Sequence, residues 1–90
     1  MGSYEIRWKK SAISDLRRID KQFVSRIIRG IEDLVTNPYP AHSKKLKATE
    51  HIYRLRIGDY RVVYHVDAGA RTITIYHIRH RKDVYRFMKL

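Results

Sequence analysis

Cysteine is absent from this 90-residue chain. Without thiols, neither a disulfide framework nor a thiolate zinc site is available. No apolar run approaches the ~20 residues that a membrane-spanning helix needs, and the N-terminus lacks the apolar core of a signal peptide. We therefore expect a cytoplasmic protein that does not span a membrane, and nothing in the sequence indicates a cofactor.

Acidic residues are also scarce, because 9 Asp and Glu stand against 20 Lys and Arg, for a formal net charge of +11. A small domain with this surplus repels itself, so the charge indicates a polyanionic partner. Nucleic acid is the first candidate; an anionic membrane surface or an acidic protein follows. The hydrophobic fraction of 43% suffices for one modest core, and we expect a single domain over residues 1–90.

The N-terminal half predicts one strand and two helices. Residues 4–8 alternate apolar and charged side chains, as a half-buried strand does. Ser11 and Asp20 are candidate N-caps of two successive helices, and the Asn37–Pro40 segment ends the second one. Apolar residues recur at helical spacing in both: Ala12, Leu16 and Ile19 in the first, and Phe23, Val24, Ile27, Ile28, Ile31, Leu34 and Val35 in the second.

In the C-terminal half the apolar period changes from helical to two. Residues 43–47 predict a basic loop, and the segments 52–57, 60–66 and 71–80 predict strands joined by turns. The order favours an α+β fold: an N-terminal strand, a helical hairpin, then an antiparallel three-strand meander, with the helices packed on one face of the sheet.

The short Gly58-Asp59 turn permits a register prediction. A two-residue turn sets Ile57 opposite Tyr60, and therefore Arg56 opposite Arg61. Alternation then turns one set of side chains toward the helices and the other set away from them. The first set contains Tyr53, Leu55, Val62 and Tyr64, and the second contains Arg54, Arg56 and Arg61.

Two arginines directly across a ladder repel each other unless an anion lies between them. A solvated basic face is the ordinary explanation, but three arginines within one hairpin favour a phosphate-binding site. The guanidinium group donates bidentate hydrogen bonds to phosphate and stays charged at any accessible pH.

The last strand is ambiguous. An even loop pairs Tyr64 with Ile73 and Val62 with Ile75, which turns both isoleucines toward the helices. Strict alternation then sets Tyr76 and His80 on the arginine face, and Arg79 and Arg81 on the other. A bulge would release that parity.

Two segments carry a family resemblance. Residues 53–64, YRLRIGDYRVVY, resemble the central hairpin of RelE-type toxins, and residues 80–85, HRKDVY, are similar to their C-terminal signature. The resemblance implies an endoribonuclease of a toxin–antitoxin system that enters the ribosomal A site and cuts mRNA without a metal ion. In that reaction the ribose 2′-hydroxyl attacks the adjacent phosphate and expels the 5′-oxygen.

The resemblance also implies residue roles. Arg54 and Arg56 would lie beside the scissile phosphate, and Arg61 would stabilise it. Arg81 would assist the leaving group, and Tyr85 would hold a base. Basic residues of the 43–47 segment would contact RNA of the ribosome: Lys44, Lys45 and Lys47.

One departure concerns acid–base chemistry. Some family members have lysine where this chain has Arg54 and Arg56, and an arginine does not serve as a base. The predicted proton acceptor is His80, since the register sets it on the arginine face, and His65 is second. We expect His77 to be a packed strand residue and the two remaining histidines to lie on loop surface: His42 and His51. Alternatively, no residue acts as a strong base, and the reaction is accelerated by positioning the RNA and by stabilising the charge on its phosphate.

Two other functions remain open: a ParE-like inhibitor of DNA gyrase, which shares the fold, and a non-catalytic RNA-binding module. The combination of the hairpin arginines with Arg81 and Tyr85 favours the ribonuclease. The resemblance further implies a RelB-like antitoxin that neutralises the charge of +11. We expect the toxin to be a monomer when free and to form a hetero-oligomer with its antitoxin.

Overall fold

The computed structural model describes residues 3–46 and 50–83. These form a five-stranded sheet in the order β1-β5-β4-β3-β2, in which β1 runs parallel to β5 and the other neighbours are antiparallel. The elements are β1 (Glu5–Trp8), α1 (Lys10–Arg18), α2 (Lys21–Glu32) with a 3₁₀ turn (Asp33–Val35), β2 (Ser43–Lys45), β3 (Ile52–Ile57), β4 (Tyr60–Asp67) and β5 (Thr72–His80).

The predicted α+β fold is confirmed, with both helices on one sheet face and β3, β4 and β5 as the meander. The interpretation of residues 43–47 as a loop is wrong, because Ser43–Lys45 pair with Leu55–Tyr53 as an edge strand. Three residues are too few for an alternating pattern to emerge in the sequence.

The helix boundaries follow the predicted signals in part. Asp20 is the N-cap of α2, and its Oδ1 accepts a hydrogen bond from the Gln22 N–H at 3.1 Å. The prediction for Ser11 is wrong, since α1 begins at Lys10 and Lys9 is its N-cap. The Ser11 hydroxyl instead donates to the Tyr76 carbonyl of β5 at 2.6 Å, which ties the helix to the sheet.

The core lies between the helices and one face of the sheet. Isoleucines dominate it because helix and strand periodicities both direct them there. The helices contribute Ala12, Ile27, Ile31 and Leu34, and the sheet contributes Leu55, Val62, Tyr64, Val66, Ile73, Ile75 and Ile78. Burying a side chain of this size stabilises the fold by roughly 1.5–3 kcal/mol, so this face supplies most of the stability.

The predicted register of β3 with β4 is confirmed at every pair from Tyr53–Tyr64 to Ile57–Tyr60. Gly58 has φ +59 and stands first in the two-residue turn, as glycine does in a type II′ turn. Leu55, Val62 and Tyr64 are buried, as predicted.

The predicted pairing of β4 with β5 is wrong, by two residues at Tyr64 and by three at Val62. Tyr64 pairs with Ile75 and Val62 with Ile78, and a bulge separates the two pairs at Tyr76. Both isoleucines of the prediction, Ile73 and Ile75, still face the core. Beyond the bulge the parity reverses, which sets Arg79 opposite Arg61 and His80 opposite Tyr60.

The edge of β5 is covered in two ways. β1 pairs with its first half, Thr72 to Ile75, and α1 covers the second. Asp15 of α1 is 6% exposed, and its Oδ2 accepts hydrogen bonds from the Ile78 N–H at 3.0 Å and from Arg79 Nε at 3.1 Å. The buried carboxylate therefore satisfies an edge N–H and an arginine together.

In the part of the chain described here, no helix combines the length and the apolar character that crossing a membrane requires.

Candidate nucleic-acid interface

The sheet face that the helices leave uncovered carries the three predicted arginines. Arg54, Arg56 and Arg61 line one cleft of about 370 Å³, together with Ala41, His42 and Lys44. The strand register explains the convergence, because Arg56 pairs with Arg61 and Lys44 pairs with Arg54. We call this site the arginine cleft.

Arg56 and Arg61 lie in the closest kind of cross-strand pair. The Arg56 N–H points away from β4 and donates to the His42 carbonyl at 3.2 Å. The two arginines are therefore a non-hydrogen-bonded pair, in which opposed side chains approach more closely. Like charges so placed destabilise the ladder, and a bound anion would remove that penalty.

The Gly58-Asp59 turn brings Arg61 and Arg81 to the same end of the sheet. Arg61 Nη1 donates to the carbonyls of Gly58 at 3.1 Å and Tyr60 at 3.0 Å. The Arg81 N–H donates to the Asp59 carbonyl at 2.7 Å, and its Nε lies 3.8 Å from Asp59 Oδ1. Arg81 is exposed and does not line the arginine cleft, but it stands at the turn that orients Arg61.

The predicted RNA-contacting lysines separate. Lys44 lies in the arginine cleft, whereas Lys45 pairs with the core-facing Tyr53 and is exposed on the other side of β2. Lys47 and Tyr85 are outside the described residues, so their predicted roles stay predictions.

The placement predicted for His80 is wrong. The bulge at Tyr76 turns His80 toward the helix-covered side, where its ring lies 5.6 Å from that of Tyr60 and it lines a pocket with Phe23 and Arg26. His80 therefore lies off the arginine face, on which its predicted role as the proton acceptor depended.

Three other histidines lie away from the cleft. His65 is on the open face, but at the far end of the hairpin, where it stacks on Tyr76 at 6.3 Å. His77 is a half-buried strand residue whose Nδ1 lies 3.4 Å from Asp15 Oδ2. His51 is exposed.

His42 is the histidine that lines the arginine cleft. It was predicted as loop surface, and it is exposed, but the fold brings its loop beside β3. No spacing or motif in the sequence indicates this position, since it depends on how residues 37–43 cross the edge of the sheet.

The loop that carries His42 is anchored by hydrogen bonds. The buried Tyr64 hydroxyl donates to the Pro38 carbonyl at 2.7 Å, and the Ser43 hydroxyl donates to the Pro40 carbonyl at 2.7 Å. Burial raises the pKa of Tyr64 to about 12, so this phenol stays protonated and remains a donor. The core thereby positions the rim of the arginine cleft.

Asp15 and Arg79 form a site that sequence reasoning missed. Arg79 lies opposite Arg61 on the open face, but Asp15 binds its Nε. A signal was present, because Asp15 falls within the apolar stripe of Ala12, Leu16 and Ile19. A carboxylate on the buried face of a helix requires partners.

Comparisons with known proteins agree with this geometry. Residues 6–85 match the family described as the ParE toxin of the type II toxin–antitoxin system parDE. The chain is 33% identical over 86 residues to the putative toxin RelE1 of Methanocaldococcus jannaschii, covering 92% of this chain and 96% of that protein.

Solved structures extend the likeness to the fold. The archaeal RelE–RelB complex of Pyrococcus horikoshii is similar with a TM-score of 0.78 and 28% identity, covering 88% of this chain and 96% of the matched chain. The RelBE2 toxin–antitoxin complex of Mycobacterium tuberculosis is similar with a TM-score of 0.77 and 25% identity, covering 88% and 99%. The family match over most of the chain, the relatives and the shared fold together show that this protein belongs to the RelE family of toxins, within the RelE/ParE superfamily of type II toxin–antitoxin systems.

Proposed function

We propose that this toxin is a metal-independent endoribonuclease that cuts mRNA in the ribosomal A site. The observation that carries the proposal is the convergence of Arg54, Arg56 and Arg61 in one cleft, on the face of the sheet that the two helices leave uncovered. A self-repelling cluster of this kind is suited to a phosphodiester, whose charge it neutralises.

The reaction is a transesterification within the RNA chain. The ribose 2′-oxygen loses its proton and attacks the adjacent phosphorus, and the bond from phosphorus to the next 5′-oxygen breaks. The products are a 2′,3′-cyclic phosphate and a 5′-hydroxyl group, which takes up a proton. Negative charge grows on the phosphoryl oxygens in the transition state. Guanidinium groups held in fixed positions therefore stabilise the transition state more than the bound substrate.

The arginines have different roles in this proposal. Arg54 and Arg56 bind the scissile phosphate, and Arg61, oriented by the Gly58 and Tyr60 carbonyls, stabilises the transition state. Arg81 assists the departing 5′-oxygen from its position beside Asp59. Tyr85 follows it in the chain and would stack on a base, as aromatic side chains do with single-stranded RNA.

We assign the proton acceptor to His42 rather than to His80. Imidazole exchanges protons readily near neutral pH, and of the five histidines only His42 lines the arginine cleft. Its loop is held by the bonds from Tyr64 and Ser43, which keeps the ring at the rim. A general base contributes roughly 10²–10⁴-fold to such a reaction.

We further propose that a RelB-like antitoxin neutralises the toxin, which is a monomer when free. Both similar structures described above are toxin–antitoxin complexes, RelE–RelB of Pyrococcus horikoshii and RelBE2 of Mycobacterium tuberculosis. The charge of +11 would attract acidic segments of the antitoxin, and these would bind across the arginine cleft. Lys44, Lys45 and Lys47 would contact ribosomal RNA.

Inhibition of DNA gyrase is the second candidate, because the matching family is described as the ParE toxin. The two functions leave different products. The test is translation of a defined message in a purified system with primer extension to map cuts, beside a gyrase supercoiling assay.

We expect cuts at codon-related positions. Arg61→Ala should slow cutting by roughly 10²–10³-fold, since it removes one transition-state donor, and Arg81→Ala should slow it strongly as well. Arg17→Ala, an exposed change on α1, is the control and should retain full activity. Intact message together with gyrase-linked DNA breaks would refute the ribonuclease function.

A further inference from the structure

A second basic groove lies on the helix side of β3, between the C-terminal half of α2 and the Gly58 turn. Its volume is about 560 Å³, larger than that of the arginine cleft, and Arg26, Arg29, Gly30, His42, Arg56 and Gly58 line it. We call it the α2 groove.

Two glycines shape this groove. A Cβ atom on Gly30 would lie 2.5 Å from Ile57 Cδ1, so a larger residue here would require the Ile57 side chain to move. At the turn, a Cβ atom on Gly58 would lie 3.4 Å from Arg26 Nη1. The guanidinium group of Arg26 therefore lies over the turn that also orients Arg61.

The α2 groove carries a net positive charge, because three arginines and one carboxylate line it. Arg26 and Arg29 are three residues apart and share a face of the helix, and Arg56 joins them from β3. Within residues 3–46 and 50–83 none of the three forms an ion pair, although Asp33 also lines the groove. Elsewhere arginines do have carboxylate partners, as Arg79 has in Asp15.

The α2 groove is continuous with the arginine cleft, because Arg56 and His42 line both. β2 pairs with β3 only as far as Leu55. Among residues 3–46 and 50–83, no strand pairs with this edge of β3 from Arg56 onward, where the Arg56 N–H donates to the His42 carbonyl. A flexible chain lying in the cleft would round this edge without meeting a strand.

We propose that the α2 groove binds the phosphate backbone of the same single-stranded RNA, at nucleotides flanking the scissile phosphate. This rests on the proposed ribonuclease function, to which it adds a second binding site. The lining favours RNA over a protein helix. Among the described residues that line the groove, Ile57 is the one large apolar side chain, whereas a helix docks through several apolar anchors. Guanidinium groups along a continuous path suit successive phosphates.

The test compares two variants that each remove two positive charges. The double variant Arg26→Gln, Arg29→Gln removes two positive charges from the groove. The control is the double variant Arg17→Gln, Lys21→Gln, at exposed helix positions outside the groove. Glutamine keeps the helix propensity in both. The probes are uncleavable 2′-O-methyl RNAs of roughly three and roughly seven nucleotides, with affinity measured by fluorescence anisotropy over a series of salt concentrations.

We expect the longer RNA to bind the unaltered toxin roughly tenfold more tightly than the shorter one. The groove variant should bind the long and the short RNA equally well, with unchanged affinity for the short one. For the long RNA, the slope of the logarithm of the binding constant against the logarithm of the salt concentration should become shallower by about 0.7 for each phosphate that the groove no longer neutralises. The control variant should retain the gain.

Equal reductions of affinity in both variants would show a bulk charge effect and overturn the proposal. The groove variant could instead bind a glutamate-rich peptide more weakly while still binding the longer RNA more tightly than the shorter one. That result would assign the groove to a protein partner and would also overturn the proposal. A gain with RNA length but no cutting during translation would refute the ribonuclease function and leave the RNA path standing. Cutting during translation, with the longer RNA bound no more tightly than the shorter one, would support the ribonuclease function and refute RNA binding in the α2 groove.

Discussion

The two faces of the sheet are built from the same strands and have opposite properties. Toward the helices, β3 and β4 present Leu55, Val62 and Tyr64, all fully buried and packed in the main core. On the other side the same strands present Arg54, Arg56 and Arg61 around a cleft. The alternation of side chains along a strand allows one hairpin to serve stability and binding at once.

The difference between the two faces shows which part of the sheet lowers the stability of the fold. On the open face a small cluster of Leu46 and Val63 packs with Ile52 and Tyr76, whereas Arg56 near the turn is exposed. The facing pair of Arg56 and Arg61 reduces stability, and the core on the other face compensates. Function and stability should therefore separate when neighbouring residues of one strand are changed.

The largest effect is expected from the core side of β3. Leu55→Ala should lower the free energy of unfolding by roughly 2–5 kcal/mol, through reduced burial and an unfilled cavity. Urea unfolding followed by circular dichroism measures it. Arg56→Ala, at the next residue on the open face, is the matched control and should leave stability unchanged or raise it by up to about 1 kcal/mol. Similar destabilisation in both variants would contradict the division of the two faces.

Asp15 tests the edge where the two faces meet. Asp15→Asn removes the charge that holds Arg79 Nε at 3.1 Å and should lower the free energy of unfolding by roughly 1–3 kcal/mol. Hydrogen exchange at the Ile78 N–H should become faster, because that amide donates to the same oxygen. Ser14→Asn, at an exposed position of α1, is the control. Unchanged exchange at Ile78 would contradict an anchoring role for Asp15.

Tyr64 links the core to the rim of the arginine cleft. Tyr64→Phe removes the hydrogen bond to Pro38 and should lower the free energy of unfolding by about 1 kcal/mol at neutral pH. Burial raises the pKa of Tyr64 to about 12, so the unfolded chain releases this proton at a lower pH than the folded one. The advantage of the native protein over the variant is therefore full below pH ~10 and declines toward pH ~12.

The same variant distinguishes positioning from packing. If the Pro38 bond holds the His42 loop, Tyr64→Phe should reduce cutting at temperatures where the variant is fully folded. Tyr53→Phe, at a half-buried neighbour whose ring stacks on Tyr64, is the control. Equal cutting by the native toxin and Tyr64→Phe would refute the positioning role.

The smallest effect has the opposite sign. Arg56→Gln relieves the repulsion with Arg61 and should raise the free energy of unfolding by roughly 0.2–1 kcal/mol at low salt. The gain should shrink as salt screens the pair, while cutting becomes slower. Thermal melts at two salt concentrations measure it, with Arg17→Gln as the control. A variant that is destabilised at low salt would show that the facing arginines do not repel in the free toxin.

Local patterns were sufficient for the β3–β4 hairpin because its turn is short. With Gly58-Asp59 fixing the turn, alternation assigned every side chain of the hairpin to its face. The strand β5 could not be assigned in the same way. One extra residue at Tyr76 reversed the parity beyond it, and a bulge has no composition that marks it in a single sequence. The error in placing His80 follows from that one residue.

The sequence by itself determined the fold class, the separation of an apolar from an arginine-bearing face, and the membership of Arg54, Arg56 and Arg61 in one site. These depend on periodicity and on one tight turn, which are local properties of the chain. Only the tertiary structure decided that His42 joins the arginine cleft, that Asp15 anchors Arg79, and that Arg26 and Arg29 continue the basic surface around the edge of β3. Each of these contacts joins residues far apart in the chain, and long-range packing brings them together.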